Sequence, residues 1–235
     1  MAAEVAPHII LLDKAMEAVG LVGEAGHTLV PTHVLYTWLV MLALIVLAWV
    51  ATRKITLVPK GVQNFWEIVV GGLEDFVVST MGENGRTVFP LLMTIFIFIL
   101  FANFVGLAPG GVAPTANLNT NAAMAIVVFI FYNIVGIKTH GFKYVKQFTG
   151  PVPWLTPLIL PIEVLSHLAR PLSLTVRLFG NIFGEELVLI LFFALLPVIA
   201  TLPMYFLYTL VDTIQAFIFF MLSMIYLKLA YEEAH

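Results

Sequence analysis

The chain has 235 residues, 61% of them hydrophobic and 11% charged, with a formal net charge of −3 and a mean hydropathy of +1.02. A soluble domain carries about 25% charged residues, so the composition excludes one and defines an integral membrane protein. The absence of cysteine removes disulfides, thiolate metal sites and cysteine nucleophiles together. The basic residues neither cluster nor interleave with aromatics, which leaves no nucleic-acid signature. His8, His27 and His140 are too scattered for a metal site, and no cofactor is implied.

Residues 1–32 hold four acids against one lysine, Lys14, and lack the basic flank and apolar run of a signal peptide. About 20 apolar residues cross a bilayer core, and 33–51 (HVLYTWLVMLALIVLAWVA) makes the first span. In 61–79 the large apolar residues Val62, Phe65, Trp66, Val69, Val70, Leu73, Phe76 and Val77 recur at 3-4 spacing, with Gln63, Asn64, Glu67, Glu74 and Asp75 on the other side. That pattern predicts an amphipathic helix lying on the membrane surface. Further spans follow at 88–107 and 121–137, then a long apolar stretch at 157–196 and a final helix at 202–229. The expected fold is a single all-α membrane domain: five membrane segments plus one interfacial helix, without soluble domain or repeat.

The charges orient it. Arg53, Lys54, Lys60 and Arg86 follow the first span, Lys138, Lys143 and Lys146 the third, and Lys228 the last. The loop APGGVAPTANLNT carries no basic residue. The positive-inside rule then predicts an outer N-terminus and a cytoplasmic C-terminus.

Two arginines break the apolar pattern inside the fourth segment, in RPLSLTVRLFGN at 170–181. A guanidinium near the bilayer centre costs between about 3 and about 15 kcal/mol, so its presence calls for a function. On a helix with Arg177 at zero, Glu163, Ser166, Arg170, Ser173, Asn181 and Gly184 fall within about 40° of it, Glu185 near 80° and Glu186 near 180°. The 157–196 segment is about 60 Å long if helical, twice the core thickness, and therefore tilts strongly or kinks at Pro161 or Pro171. On the last helix Tyr205, Tyr208, Asp212, Gln215 and Phe219 form a second stripe. Acids thus stand at two depths with a permanent cation between them. A proton path from one side through Glu186 and Asp212, and from the other through Glu163 and Ser166, cannot pass a group that never releases its proton. Such half-paths require a moving carboxylate on another subunit to join them.

RPLSLTVRLFGN, then GEELVLIL, then TIQAFIFFMLSMIYL, together with the PTANLNT loop, resemble subunit a of F-type ATP synthases, the stator facing the rotating ring of c subunits. The resemblance covers nearly the whole chain. It implies that Arg177 is the essential arginine, paired with the rotor carboxylate, with Asn181 and Gln215 beside it. It implies an outer half-channel at Glu186, an inner one at Glu163 and Ser166, and two long tilted helices along the ring. The implied partners are the c ring, b-type peripheral stalk subunits and, through the stalk, the catalytic head. A bacterial inner membrane is the more natural setting for so compact a chain, with a thylakoid membrane as the alternative. Two departures concern the outer side: some members have histidine where Tyr208 stands and a small residue where Glu185 stands, so Glu185, Glu186 and Asp212 are expected to share that role.

Other readings stand beside this one. Arg170 can pair with Glu163 one heptad back, or snorkel. His167 fits a satisfied interior histidine, and Asn117 and Asn119 fit turn residues. A self-contained anion channel or transporter would use Arg170 and Arg177 as its site, but should show an internal repeat and a broken helix. A plain membrane anchor would not align its ionisable residues.

Overall fold

A computed structural model describes residues 31–53, 61–108, 111–141, 144, 156–195 and 201–232. The N-terminal segment 1–30, with His8, Lys14 and His27, lies outside the described residues, as do Lys54, Lys60, Lys143, Lys146 and residues 196–200. Six α-helices are described: α1 (Thr32–Thr52), α2 (Val62–Met81), α3 (Asn84–Leu107), α4 (Leu118–His140), α5 (Thr156–Leu195) and α6 (Thr201–Tyr231). A short 3-10 turn, Pro114–Ala116, precedes α4. All except α2 are long and apolar enough to cross a membrane, and the described residues contain no strand.

Helices overrun the apolar stretches that announce them, because backbone hydrogen bonding continues through polar residues at the ends. The α3 helix starts at Asn84, four residues ahead of its apolar run. Asn117 sets the start of α4: its Oδ1 accepts the Asn119 N–H at 2.9 Å, satisfying one orphan donor of the first turn. Gly141, at φ +57°, ends that helix in a conformation that favours glycine.

The α5 helix runs unbroken for 40 residues through Pro161 and Pro171, which makes it about 60 Å long. A helix break at either proline is therefore excluded. Proline removes a backbone donor, but in a membrane the surrounding helices hold the chain helical across it. At Pro171 the carbonyl accepts the Thr175 hydroxyl at 2.8 Å.

The core lies among α3, α4, α5 and α6. Leu92 and Ile99 of α3, Val128 and Tyr132 of α4, Leu178 of α5, and Phe219, Phe220 and Leu227 of α6 are buried. Phe96 meets Phe220 edge-on at 5.6 Å. In lipid this association comes from close packing and interhelical hydrogen bonds rather than from escape from water. The first helix stands apart. It buries Tyr36 and Val40 and leaves Leu42, Ile45 and Trp49 exposed. The α2 helix is tied in from its middle onward, where Val77 is buried and Val70 and Leu73 pack on the core, while Phe65 and Ile68 stay exposed. Gly85 permits that approach, since a Cβ there would press on Val77 at 3.0 Å.

Candidate functional site

The polar stripe of α5 borders its seam with α6, with Arg170 and Asn181 reaching across and Ser166, Ser173 and Arg177 exposed. Three contacts cross it. The Arg170 guanidinium sits 5.4 Å from the Tyr226 ring centroid. Asn181 Nδ2 donates to Gln215 Oε1 at 2.6 Å. The Glu185 and Asp212 carboxyl groups meet at one cavity, close enough to act on each other. The residue numbers of these pairs add to 396, 396 and 397, the constant sum of two antiparallel helices in register. The same register sets Arg177 level with Phe219 and Ser173 level with Ser223.

Arg170 also lies over the Tyr132 ring at 5.7 Å, so its half-buried charge is held between α4 and α6. A cation between two aromatic faces is attracted by both ring quadrupoles. Glu163 is not its partner: among the described residues the ion pairs are Arg86 with Glu74 and Glu83, and Lys228 with Glu232. Arg177, two turns further along the stripe, is exposed, and no described residue bonds its guanidinium.

Toward the C-terminal end of α5 the acids converge. Glu185, Glu186 and Asp212 line one cavity of about 30 Å³ together with Asn103, Ile182 and Tyr208, room on the scale of a water molecule or two. Asp212 is only 2% exposed. Glu185 Oε1, Asp212 Oδ1 and the Tyr208 hydroxyl have no protein partner among the described residues. Glu186 stands about 180° from Arg177 on the helix, and Ile182 and Leu189 beside it show why it still reaches this cavity. The bundle interior is on that side of α5. A polar chain ties the cavity to the loop before α4. Asn103 Nδ2 donates to the Asp212 carbonyl at 3.4 Å, Thr115 Oγ1 donates to Asn103 Oδ1 at 2.7 Å, and Asn121 Nδ2 donates to the Thr115 carbonyl at 2.7 Å.

Toward the N-terminal end, Glu163 is half-buried, and Ser166 and Ser173 are exposed. Glu163 lies 14 residues before Arg177 and Glu186 nine after it, about 21 Å and about 13 Å along the helix. His167 faces inward, its Nε2 3.3 Å from the Tyr144 hydroxyl and its ring edge-on to Tyr132 at 5.0 Å. Tyr144 donates in turn to Asn133 Oδ1 at 3.1 Å. Gly136 makes room for that phenol, because any Cβ there would occupy the ring's place. Burial pushes the Tyr144 phenol above its ordinary pKa.

Asn103, Thr115, Tyr132 and Tyr226 are the residues that sequence reasoning missed. Asn103 had a signal, as the lone amide within FIFILFANFVGL. The two tyrosines had none, since aromatic residues in a span usually pack.

Enclosed carboxyls and two guanidinium groups on helices long and apolar enough to cross a membrane define an integral membrane protein built around intramembrane charge. The family profile of the ATP synthase A chain matches residues 34–228. ATP synthase subunit a of Solidesulfovibrio magneticus is 56% identical over 233 residues, covering 97% of this chain and 98% of that one. The subunits a of Nitratidesulfovibrio vulgaris and Syntrophobacter fumaroxidans are 55% and 52% identical, each with the same 97% and 98% coverage. The chain belongs to the ATP synthase subunit a family.

Proposed function

We propose that the chain is the non-catalytic, proton-translocating stator subunit of an F-type ATP synthase, working against a ring of c subunits. The observation that carries the reading is the isolation of Arg177: an exposed guanidinium without a partner in the described chain, on the polar edge of α5 between Glu163 and the Glu185–Glu186–Asp212 cavity. A charge so costly in lipid needs an anion from outside, and a ring carboxylate supplies one. Protons enter from the outer side through the cavity, where Glu185, Glu186 and Asp212 share the relay with Tyr208. They leave through the Glu163 and Ser166 side to the cytoplasm. Asn181 and Gln215 flank the exchange point and are already joined to each other. A ring carboxylate meets Arg177 when ionised and turns into lipid when protonated, so ions cross only as the ring turns. One charge crossing 100 mV carries about 2.3 kcal/mol toward rotation.

In this reading α5 and α6 lie strongly tilted along the ring and α2 lies at the membrane surface. The N-terminus is outside and the C-terminus cytoplasmic, in a bacterial inner membrane. The b-type stalk subunits join this chain to the catalytic head. The positive-inside distribution supports that orientation, and the 60 Å length of α5 supports the tilt.

The test is Arg177→Ala in membrane-embedded complexes, with ATP-driven pumping and passive proton flux measured together. Pumping should fall at least about 100-fold, the scale of losing a group on which transfer depends, while passive flux rises. Intact pumping, or a loss that tracks failed assembly without a leak, would sink the reading.

A further inference from the structure

The α5–α6 seam alternates in character along its length. Polar or aromatic–cation rungs occupy 170/226, 181/215 and 185/212. Between 170/226 and 181/215 the same register sets 173/223, two serines, and 177/219, whose α6 member is a phenylalanine only 1% exposed. Phe219 points toward α5. On an α-helix it falls about 40° from Gln215 and about 20° from Tyr226 and Asp212, all three of which touch α5.

We infer that Phe219 is a positioning residue for Arg177: by filling the rung level with it, the ring denies the guanidinium a partner on α6 and keeps it turned out of the seam. This rests on the proposed role of Arg177 toward a ring carboxylate. Three of the polar side chains on the stripe have a partner across the seam or on another helix, while the exposed Ser173, level with Ser223, has none among the described residues. Arg170 has Tyr226 and Tyr132, Asn181 has Gln215, and Glu185 has Asp212. Arg177 is as able to bond as any of them, with five N–H donors. What differs is the residue facing it. The Phe219 side chain carries no oxygen or nitrogen to accept from the guanidinium, and among the described residues Arg177 makes no ring contact of the kind Arg170 makes with Tyr226. Arg177 is exposed while its helical neighbours Leu174 and Leu178 are buried.

The test uses the whole complex in membrane vesicles with Phe219→Leu, Phe219→Gln and Phe219→Glu, each also combined with Arg177→Ala. Phe219→Leu keeps the rung apolar and should pump within about threefold of wild type. Phe219→Gln and Phe219→Glu offer Arg177 a partner within the chain and should lower pumping at least tenfold without raising passive flux. The thermal stability of the assembled complexes gives a second readout through a double-mutant cycle, because coupling across the rung appears only where the side chains meet. Removing Arg177 should destabilise the Phe219→Glu complex more than it destabilises wild type. Zero coupling, or a Phe219→Leu loss as deep as that of Phe219→Glu, overturns the inference. Clear coupling together with intact pumping in Arg177→Ala leaves the rung standing and overturns the stator mechanism instead.

Discussion

The two ends of α5 handle their acids in opposite ways. At the C-terminal end Glu185, Glu186 and Asp212 are enclosed, with Asn103, Thr115 and Asn121 arranged behind them. At the N-terminal end Glu163 stands half-buried with no ion-pair partner among the described residues, and Ser166 faces outward. One end is therefore finished within this chain. The other is an open wall that gains its second side from whatever packs against it. A carboxyl inside low-dielectric surroundings acts through fixed neighbours, whereas one at an open wall can be replaced by water.

That contrast is easiest to break at the enclosed end. The double variant Glu185→Gln with Asp212→Asn removes both members of the carboxyl pair, and ATP-driven pumping should drop about 100-fold or more, without added leak. Each single variant should lose less, because the partner acid still carries a proton. Equal losses for the singles and the double would mean that the pair works as one unit. Next in size is Asn103→Leu, which leaves the buried Thr115 hydroxyl without its acceptor. That should cost about 1–3 kcal/mol of stability, read from the melting of the purified complex. The smallest effect belongs to the open end, where Glu163→Gln should slow pumping less than about threefold, since water can stand in for the lost carboxylate. A loss there matching that of the acid pair would show that the N-terminal end is as closed in the assembled complex as the C-terminal one.

Much of the architecture was legible in the apolar runs, because a span needs length and hydropathy and little else. The stripe on α5 was legible too, since helical periodicity fixes which residues share an edge. What periodicity cannot supply is the neighbour. Glu163, one heptad from Arg170, was an available partner by spacing, yet the guanidinium lies between Tyr132 and Tyr226, 38 and 56 residues away in sequence. Glu186 seemed to face away from the functional edge, and it does. The cavity is on that side as well, because α3 and α6 close around the end of α5. Both points depend on tertiary packing, and a helical wheel drawn on one helix contains none of it. The amide of Asn103 was visible in the sequence, but its target is a backbone carbonyl of α6, which no side-chain pattern announces.

The position of α6 in the chain sets an order of assembly. It follows the other described helices in the chain, yet it supplies Asp212 for Glu185, Gln215 for Asn181, Tyr226 for Arg170 and a carbonyl for Asn103. Until it emerges, four polar groups on two earlier helices lack these partners in lipid, where each unmet hydrogen bond is costly. The first helix, in which Tyr36 and Val40 are the buried residues, can settle early and wait. The interior lined by these charged and polar groups thus closes only after the other described helices are in place.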